Sequence, residues 1–286
     1  MLHTIEPHVF NNTFIENASE NKNDYILCYK DNSILLLQQG TEDVIPRRSD
    51  FDEVFADDAT HYLFSLDGVH CFLLKEYSGN NPDFVFQEHM FLRTMPAREF
   101  AYIGAVGFHL YKLMDEHRFC SRCGTKTTFG KSERTIHCPA CELTVYPKIS
   151  PAVIVAITCN DKILLAKGTH YRFNFYSLVA GYADIGESLE QTVIREVKEE
   201  VGIEITNLRY YGSQPWPFSS SMMVGYFAEA DDQQPIVVDT KELHDAQWFS
   251  RDSLPEIPAN ISIAGEMIEL FRSGKHEHFF GTVNTE

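Results

Sequence analysis

Four cysteines of the chain are arranged as two closely spaced pairs. Cys120 and Cys123 form one C-x-x-C pair, and Cys138 and Cys141 form a second after an interval of fourteen residues. Each pair turns the chain so that two sulfur atoms face one point, and two such pairs supply the tetrahedral thiolate set that Zn²⁺ prefers. The spacing therefore predicts a structural zinc site, with Gly124 in the tight turn after the first pair.

Two histidines and three further cysteines accompany this cluster. His117 and His137 flank the paired cysteines and are alternative zinc ligands, although hydrogen-bonded or surface histidines are the favoured interpretation. Cys28, Cys71 and Cys159 lie singly in apolar segments and are predicted to be buried. Because the total of seven is odd and these three have no evident partners, the sequence favours a reducing compartment, and we expect the protein in the cytoplasm.

A second cluster of reactive side chains is acidic and contains Glu196, Glu199 and Glu200. In a helix that turns about 100° per residue, Glu196 and Glu200 project beside the apolar stripe and Glu199 lies about 60° further out. Like charges four residues apart destabilise a helix by a few tenths of a kcal/mol, and partial burial increases that cost. A bound divalent cation compensates for the repulsion, and oxygen ligands suit Mg²⁺ or Mn²⁺. On helix geometry alone, however, a solvated acidic face is the favoured interpretation.

The element that must position these acids is a helix predicted over residues 189–201. Ser188 and Gln191 form an S-x-x-Q capping box at its start, and Gly202 stands where such a helix ends. An apolar residue recurs every four positions, which predicts one buried face. These apolar residues are Leu189, Val193, Val197 and Val201.

The spacing of the segment from Gly181 to Ile203 matches a known pattern. Glu187 follows Gly181 after five residues, and Arg195 opens the run REVKEEVGI after seven more. In this register the segment resembles the box of the Nudix hydrolase family, whose members use divalent metals to cleave a nucleoside diphosphate linked to another group. The resemblance implies a loop–helix–loop motif on a mixed sheet.

The same resemblance assigns roles to the charged residues of the box. Glu196, Glu199 and Glu200 are expected to bind metal or activate water, and Arg195 and Glu187 are expected to brace them. Which Glu acts as the base is left open, because this varies within the family.

Two further metal ligands are implied by the resemblance. The backbone carbonyl of Ala180, just before the box glycine, is one of them. Glu242 is the other, because Lys241-Glu242-Leu243 matches a family K-E-L sequence. Taken alone, Glu242 resembles an ordinary surface acid.

Three features in a fixed order narrow the resemblance. The four-cysteine segment is followed by the run YPKISP at Tyr146–Pro151, and SQPWPF at Ser213–Phe218 begins ten positions after the box ends. Together they resemble the NADH pyrophosphatase subfamily with a zinc ribbon, which includes NAD-capped RNA hydrolases. The resemblance covers about residues 117–250 and departs from the family pattern at Ser219, where another proline is usual.

The SQPWPF segment suits the binding of an aromatic base. Pro215 and Pro217 stiffen it, so that less entropy is lost on binding, and Trp216 and Phe218 offer flat faces on which stacking is worth about 1–3 kcal/mol per base. Tyr182 is placed to supply the opposite face, and plain packing is the alternative. The substrate contacts that the resemblance implies are Gln214, Pro215, Trp216, Pro217, Phe218, Ser219, Ser220, Ser221, Tyr182, Tyr146, Glu133, Ala264 and, towards a phosphate, Arg93.

The implied activity is metal-dependent hydrolysis of the pyrophosphate bond of NADH and NAD⁺ to nicotinamide mononucleotide and AMP. Two or more Mg²⁺ or Mn²⁺ ions and one structural Zn²⁺ are expected. Removal of the NAD cap from RNA 5′ ends by the same chemistry is the first alternative, and a non-catalytic dinucleotide-binding module is the second. The resemblance also implies a homodimer.

Composition sets limits on these functions. The chain has 286 residues, of which 44% are hydrophobic and 23% charged, and a formal net charge of −17. These proportions are ordinary for a globular protein. The negative charge argues against a protein whose main function is to bind nucleic acid or an anionic membrane through a basic surface. No apolar run approaches the roughly 18 residues that span a bilayer, so we expect no membrane partner.

The order of elements predicts an α+β protein in three domains. Residues 1–116 are expected to form a β-rich N-terminal domain, residues 117–147 a zinc ribbon, and residues 148–286 a Nudix α/β/α sandwich with a mixed sheet. Asp67-Gly68 predicts a hairpin turn. Strands are predicted at 25–29, 33–37, 61–66, 69–74, 151–158, 162–166, 176–179, 208–213, 222–228 and 246–249, and helices at 96–116, 189–201 and 261–272.

Overall fold

The computed structural model describes residues 1–56, 58–130, 132–169, 175–258 and 260–280. The chain divides into two compact units. The N-terminal unit comprises Leu2–Lys148 and Pro217–Ser220, and the C-terminal unit comprises Met1, Ile149–Trp216 and Ser221–Glu286. In the described part of the chain, no helix has the length and apolar character needed to cross a membrane.

A seven-stranded mixed sheet forms the larger part of the N-terminal unit, and the four strands predicted here are confirmed. Strands β2 and β6 pair in parallel. Asp67 and Gly68 have φ angles of 51° and 76°, which is the left-handed geometry of a two-residue hairpin turn. The strands are β1 Phe10–Asn11, β2 Tyr25–Lys30, β3 Ser33–Gln39, β4 Glu42–Val44, β5 Thr60–Leu66, β6 Val69–Leu74 and β7 Phe84–Glu88.

One long helix, α1 at Arg98–Glu116, packs on this sheet. The hydroxyl of Tyr29 in β2 donates to the carbonyl oxygen of Gly104 at 2.6 Å inside the contact. The expected start at Pro96 is two residues too early, because Ala97 has an extended backbone with ψ 92° and forms the N-cap. Pro96 therefore precedes the helix instead of occupying its first turn.

The segment with the paired cysteines is a small three-stranded antiparallel sheet. Its strands are β8 Thr128–Phe129, β9 Ile136–His137 and β10 Thr144–Val145. Arg134 donates from Nε to the carbonyl oxygen of Leu63 at 3.1 Å, and the rings of His61 and Phe129 lie 5.0 Å apart. These contacts attach the cysteine-bearing segment to strand β5.

The C-terminal unit is built on a six-stranded mixed sheet in the order β14-β15-β11-β12-β16, with β13 paired to β11. The long strands β11 and β15 run parallel over nine residue pairs, and the other pairs are antiparallel. The elements are β11 Ser150–Cys159, β12 Lys162–Gly168, β13 Val179–Tyr182, α2 Leu189–Val201, β14 Thr206–Trp216, β15 Ser221–Glu229, β16 Leu243–Ser250 and α3 Ile263–Arg272.

A helix covers each face of this sheet. Val193 and Val197 of α2 pack in one apolar core with Val153 and Val155 of β11. On the other face, the inner side of α3 packs with Ile154 in a second core. Successive side chains of β11 point to opposite faces of the sheet, so this strand contributes to two separate cores. The expected α/β/α sandwich is confirmed.

Four local expectations are corrected. The strand expected at 176–179 starts at Val179, because Ser177 makes only an isolated bridge to Ala166 before the chain crosses to β11. Helix α3 starts at Ile263 and not at 261, because the Ser262 side chain caps it. Strand β14 runs through Trp216 and is longer than expected, so residues 213–216 are an edge strand and not a loop. Cys159, at the end of β11, is half-buried and not buried.

Candidate active site

Helix α2 has the boundaries and caps that its sequence predicts. Ser188 Oγ accepts from the backbone of Gln191 at 3.2 Å, and Gln191 Oε1 accepts from the backbone of Ser188 at 2.8 Å. Gly202 ends the helix with φ 75°. A helix fixed at both ends holds its side chains in a constant register.

The acids lie where the helical register places them. Glu196 and Glu200 are only 8% and 6% exposed, because they flank the stripe of valines that faces the sheet. The Glu199 side chain is 59% exposed. The solvated acidic face that helix geometry alone had favoured is therefore wrong for two of the three carboxylates.

Arg195 is the hub of a charged network. Its Nε donates to Glu187 Oε1 at 2.6 Å, and its Nη1 donates to Glu196 at 2.8 Å and to Glu199 at 2.9 Å. Its Nη2 reaches Glu187 Oε2 and the carbonyl oxygen of Tyr182, both at 3.0 Å. The hydrogen bond from Arg195 is the main cause that lowers the pKa of Glu187 to about 2, and Glu187 in turn raises the pKa of Arg195.

Burial raises the pKa of the two acids of α2 that are least exposed, Glu196 and Glu200, which we call the inner acids. Burial, followed by the negative charges of Glu196 and Glu242, raises the pKa of Glu200 to about 8. Burial also raises the pKa of Glu196, although the hydrogen bond from Arg195 opposes the change. Asp239 adds to the negative field at Glu200. Sequence reasoning missed this acid, whose signal is its position three residues before Glu242.

An open cleft of about 360 Å³ lies beside Glu200. Glu200, Glu242 and Ala180 all line it. Glu242 therefore faces the same space as α2, although 42 residues of sequence separate it from Glu200. The remaining lining residues are Ala166, Gly168, Leu178 and Leu243.

The donor set of this cleft fits a hard divalent cation. Carboxylate and carbonyl oxygens are the ligands of Mg²⁺ and Mn²⁺. Glu200, Glu242 and Ala180 line the cleft, and Glu196 and Glu199 lie on the same helix as Glu200. Within the described residues, only the four paired cysteines bring three or more ligand atoms within 4.8 Å of one another. The acids of α2 and Glu242 are spread more widely than these cysteines.

Gly181 makes the burial of Glu196 possible. A Cβ atom at position 181 would lie 2.0 Å from the carboxyl carbon of Glu196. Strand β13 therefore passes directly over the Glu196 carboxylate, and only a residue without a side chain leaves room for it.

The four paired cysteines form a compact cluster in the N-terminal unit. The Sγ atoms of Cys120 and Cys141 are 3.6 Å apart, and those of Cys123 and Cys138 are 3.5 Å apart. Tetrahedral Zn–S bonds of about 2.3 Å require sulfur separations of about 3.8 Å, so the cluster fits Zn²⁺. Gly124 has φ 75° in the first turn, as its sequence position predicts.

Neither flanking histidine belongs to this sulfur cluster. His117 Nδ1 lies 2.9 Å from the carbonyl oxygen of Leu113, which agrees with the favoured interpretation that it is a hydrogen-bonded residue. His137 lies in strand β9.

The implied substrate contacts of the C-terminal unit have different surroundings. Tyr182 is 53% exposed, and its hydroxyl lies 3.2 Å from Ser221 Oγ. Pro215 and the half-buried Trp216 end the edge strand β14. Ala264 is buried in the core beneath α3.

Gln214 is fully buried, and both ends of its amide are bonded. Its Nε2 donates to the carbonyl oxygen of Ile261 at 2.8 Å, and its Oε1 accepts from the backbone of Ile263 at 2.7 Å. Gln214 therefore ties strand β14 to the start of α3. A direct contact between its amide and a ligand would require these two hydrogen bonds to break.

The other implied contacts lie in the N-terminal unit. Tyr146 is 61% exposed, and a single cavity is lined by Tyr146 and by Pro217–Ser220. Glu133 is exposed in the turn between β8 and β9. Arg93 is half-buried at the end of the short helix His89–Arg93, and burial lowers its pKa.

Comparison with known proteins identifies two domains. Residues 148–271 match the NUDIX domain, and residues 115–146 match the NADH pyrophosphatase zinc ribbon domain.

Three curated relatives from Pseudomonas are each called NAD-capped RNA hydrolase NudC. The relative from P. aeruginosa LESB58 is 48% identical over 164 residues, which are 56% of this chain and 59% of that protein. The relative from P. putida W619 is 44% identical over 183 residues, which are 59% and 66% of the two chains. The relative from P. fluorescens Pf-5 is 46% identical over 163 residues, which are 57% of this chain and 59% of that protein. The match spans about three-fifths of the length of these relatives.

We expect Gly181→Ala to weaken Mn²⁺ binding by about tenfold, because the added methyl group would displace the Glu196 carboxylate that we expect to bind the metal. The added methyl group would occupy the space of the Glu196 carboxylate. Titration calorimetry with Mn²⁺ measures the change. Gly212→Ala is the matched control, since a Cβ there meets no atom within 4 Å. Equal Mn²⁺ affinity in the Gly181→Ala variant and the parent protein would contradict the expectation.

The raised pKa of Glu200 predicts how the stability of the protein free of Mg²⁺ and Mn²⁺ depends on pH. Its folded-state pKa of about 8 exceeds the ordinary 4.5, so the folded state holds a proton that the unfolded state has released. The free energy of unfolding should therefore fall as pH rises from about 5 to about 8.

Urea unfolding at a series of pH values tests this dependence. Glu200→Gln should flatten the decline, and Glu199→Gln should preserve it because Glu199 is largely exposed. A decline that is as steep in the Glu200→Gln variant as in the parent would refute the assignment to Glu200.

Proposed function

Because the chain is a Nudix-domain protein that also carries the NADH pyrophosphatase zinc ribbon, we propose that it hydrolyses the pyrophosphate bond of NADH and NAD⁺. The products are nicotinamide mononucleotide and AMP. The observation that carries the proposal is the pair of buried carboxylates on α2, Glu196 and Glu200, of which Glu200 lines a cleft together with Glu242.

The residues that would hold Mg²⁺ or Mn²⁺ are Glu196, Glu199, Glu200, Glu242 and the carbonyl of Ala180. When bound, two or more of these ions would neutralise the diphosphate and lower the pKa of the attacking water. Such phosphoryl-type transfers depend on positioning and charge stabilisation. No Ser or Cys nucleophile is therefore part of the proposal.

The chain itself supplies the positioning. Arg195 draws Glu187, Glu196 and Glu199 together through hydrogen bonds of 2.6–2.9 Å, so the metal-binding carboxylates are oriented before a cation arrives. Glu187 balances the charge of Arg195 and is a bracing residue. The inner carboxylates are shielded from water, which strengthens their attraction for a cation.

The dinucleotide would be held by stacking as well as by its phosphates. Trp216 and Tyr182 are the aromatic residues of the C-terminal unit that we assign to this role. Stacking tolerates different bases because each has a flat π face. The proposal therefore includes both nicotinamide and adenine as rings that these residues can bind.

The NAD cap of RNA is the second candidate substrate. The names of the three Pseudomonas relatives favour it, and the bond to be cleaved is the same. The net charge of −17 disfavours extended contacts with an RNA chain. Comparison of kcat/KM for free NADH and for NAD-capped RNA at one salt concentration separates the two substrates.

We further propose three domains, at 1–116, 117–147 and 148–286, and a cytoplasmic location. None of the seven cysteines, all of which lie in the described residues, forms a disulfide, and four are grouped as a zinc site, which supports a reducing compartment. Loss of zinc or formation of disulfides in protein extracted from cytoplasm would oppose this location.

A homodimer is also part of the proposal. Ile185 is fully exposed, and Ile149 is more than half exposed. The backbone of Ala183 bonds to that of Pro151 at 3.1 Å, so these apolar side chains belong to adjoining backbone segments of the C-terminal unit. An apolar surface of this kind is stabilised when a second copy covers it.

Light scattering should give the mass of two chains, and Ile185→Asp should shift it towards one. Val54→Asp is the control, because Val54 is equally apolar and 93% exposed in the N-terminal unit. A parent protein with the mass of one chain would refute the dimer.

The activity itself is tested by substitution of the inner acids. Glu196→Gln and Glu200→Gln should each lower kcat on NADH by about 100-fold or more, a typical loss for a catalytic group, with zinc content unchanged. Chromatography of the products with and without Mg²⁺ or Mn²⁺ measures turnover. Glu204→Gln is the control, because Glu204 is an exposed acid paired with Lys198.

Two results would contradict the proposal. Near-native turnover in a folded Glu200→Gln variant would remove the role of the inner acids. Absence of metal-dependent AMP release from the parent protein, with dinucleotide binding retained, would identify a non-catalytic binding module.

A further inference from the structure

Glu242 lies in the irregular segment that joins β15 to β16. The residue is exposed, and β16 begins only at Leu243. Glu200, by contrast, is carried by helix α2. A side chain on a connecting segment has no helical or strand register to hold it in place. Other contacts must therefore keep Glu242 at the cleft that both acids line.

This connecting segment is attached to the C-terminal end of α2 by two backbone hydrogen bonds. The last carbonyl groups of a helix have no partner within the helix. The N–H of Val237 donates to the carbonyl oxygen of Val201 at 2.9 Å, and the N–H of Asp239 donates to that of Glu200 at 3.0 Å. Asp239 is therefore bonded directly to the backbone of an inner acid.

Asp239 also organises the turn that leads to Glu242. Its Oδ1 accepts from the N–H of Lys241 at 2.9 Å, which is the pattern of an Asx turn. Its carbonyl oxygen accepts from the N–H of Glu242 at 3.1 Å and from that of Leu243 at 2.9 Å. One residue thus connects the backbone of Glu200 to the backbone of Glu242.

Thr169, at the end of β12, holds Glu242 from the other side. Its N–H and its hydroxyl both donate to the carbonyl oxygen of Glu242, at 2.8 Å and 3.0 Å. The hydroxyl also lies 3.1 Å from the carbonyl oxygen of Lys241. Both polar groups of the Glu242 backbone are therefore bonded, the N–H to Asp239 and the carbonyl oxygen to Thr169.

We propose that Asp239 is a positioning residue of the metal site, with Thr169 as its counterpart, and that it keeps the Glu242 carboxylate in reach of the cation that Glu200 binds. The Asp239 carboxylate acts as an acceptor for the backbone and not as a metal ligand. The inference rests on the proposed function only in taking Glu200 and Glu242 as ligands of Mg²⁺ or Mn²⁺. Groups that orient metal ligands contribute roughly 10–100-fold to metal affinity.

Titration calorimetry with Mn²⁺, in the absence of substrate, tests this role. Asp239→Ala removes the acceptor and should weaken Mn²⁺ binding by about tenfold. Asp239→Asn keeps an acceptor oxygen for the N–H of Lys241 and should stay within about threefold of the parent, since only a charge is lost. Equal weakening by the two substitutions would overturn the proposal, because it would show that the charge acts and not the hydrogen bond.

Asp231→Ala is the matched control. Asp231 forms the same kind of turn at an exposed position that does not line the cleft. Its Oδ1 accepts from the N–H of Gln233 at 2.9 Å, and its carbonyl oxygen accepts from that of Gln234 at 3.2 Å. Asp231→Ala should leave Mn²⁺ affinity unchanged, and a tenfold loss in this variant would overturn the specific role of Asp239.

A double-substitution cycle shows whether Asp239 acts through Glu242. In a Glu242→Gln protein, Asp239→Ala should weaken Mn²⁺ binding no further, whereas effects that add would overturn the proposal. Thr169→Val, which removes one hydroxyl and keeps the backbone donor, should weaken Mn²⁺ binding by about threefold. It remains a test if Asp239→Ala does not fold, and an unchanged affinity would oppose the positioning of Glu242 through its backbone.

Turnover of NADH supplies a second measurement. Asp239→Ala should raise the Mn²⁺ concentration for half-maximal activity by about tenfold and leave kcat at saturating Mn²⁺ near the parent value. A lower kcat with an unchanged Mn²⁺ requirement would overturn the positioning role. A parent protein that shows the expected Mn²⁺ affinities but releases no AMP would refute the proposed hydrolysis and leave the role of Asp239 supported.

Discussion

Burial of two like-charged carboxylates against the apolar face of one helix is the constraint around which the C-terminal unit is arranged. Glu196 and Glu200 are almost fully buried, and an ionised carboxylate loses much of its hydration in such a place. Two responses reduce the cost. A proton can occupy Glu200, as its raised pKa indicates, or a divalent cation can replace the proton. In the second case, a bound cation would offset the repulsion between the two buried carboxylates.

Neighbouring residues preserve this arrangement. Arg195 holds Glu196 and Glu199 on one side, and Glu187 keeps Arg195 in place through two hydrogen bonds. Gly181 leaves the space that the Glu196 carboxylate fills. Neutralisation by the single charge of Arg195 is incomplete, since at least three acids surround it. The remaining negative charge favours a cation, which is why we propose these carboxylates as metal ligands.

The N-terminal unit meets a different requirement. Its cysteine-bearing segment has three strands of only two residues each, and so few backbone pairs cannot support a fold alone. Four converging thiolates supply the missing stability when they bind zinc. Val145 and Tyr146 at the end of this segment line a cavity together with the C-terminal half of α1.

Local patterns in the sequence determined the parts of the structure that depend on near neighbours. The limits of α2, its capping box and its apolar stripe all arise within one or two helical turns, and the two cysteine pairs are set by tight turns. The same helical register placed Glu196 and Glu200 at the border of the apolar stripe, whereas their burial depends on the strands that pack over α2. A resemblance in spacing, rather than physical reasoning from single residues, identified Glu242 and Ala180.

Tertiary structure alone decided which distant segments meet. Gln214 bonds to Ile261 and Ile263 across intervals of 47 and 49 residues, so the sequence near Gln214 carries no sign that its amide is occupied. The late start of β13 arises because the chain must cross from β12 to β11. Lys112 and Lys148 line one cavity only because α1 folds back on the chain after β10. Such contacts depend on the packing of whole elements, and residue type and short-range periodicity do not contain that information.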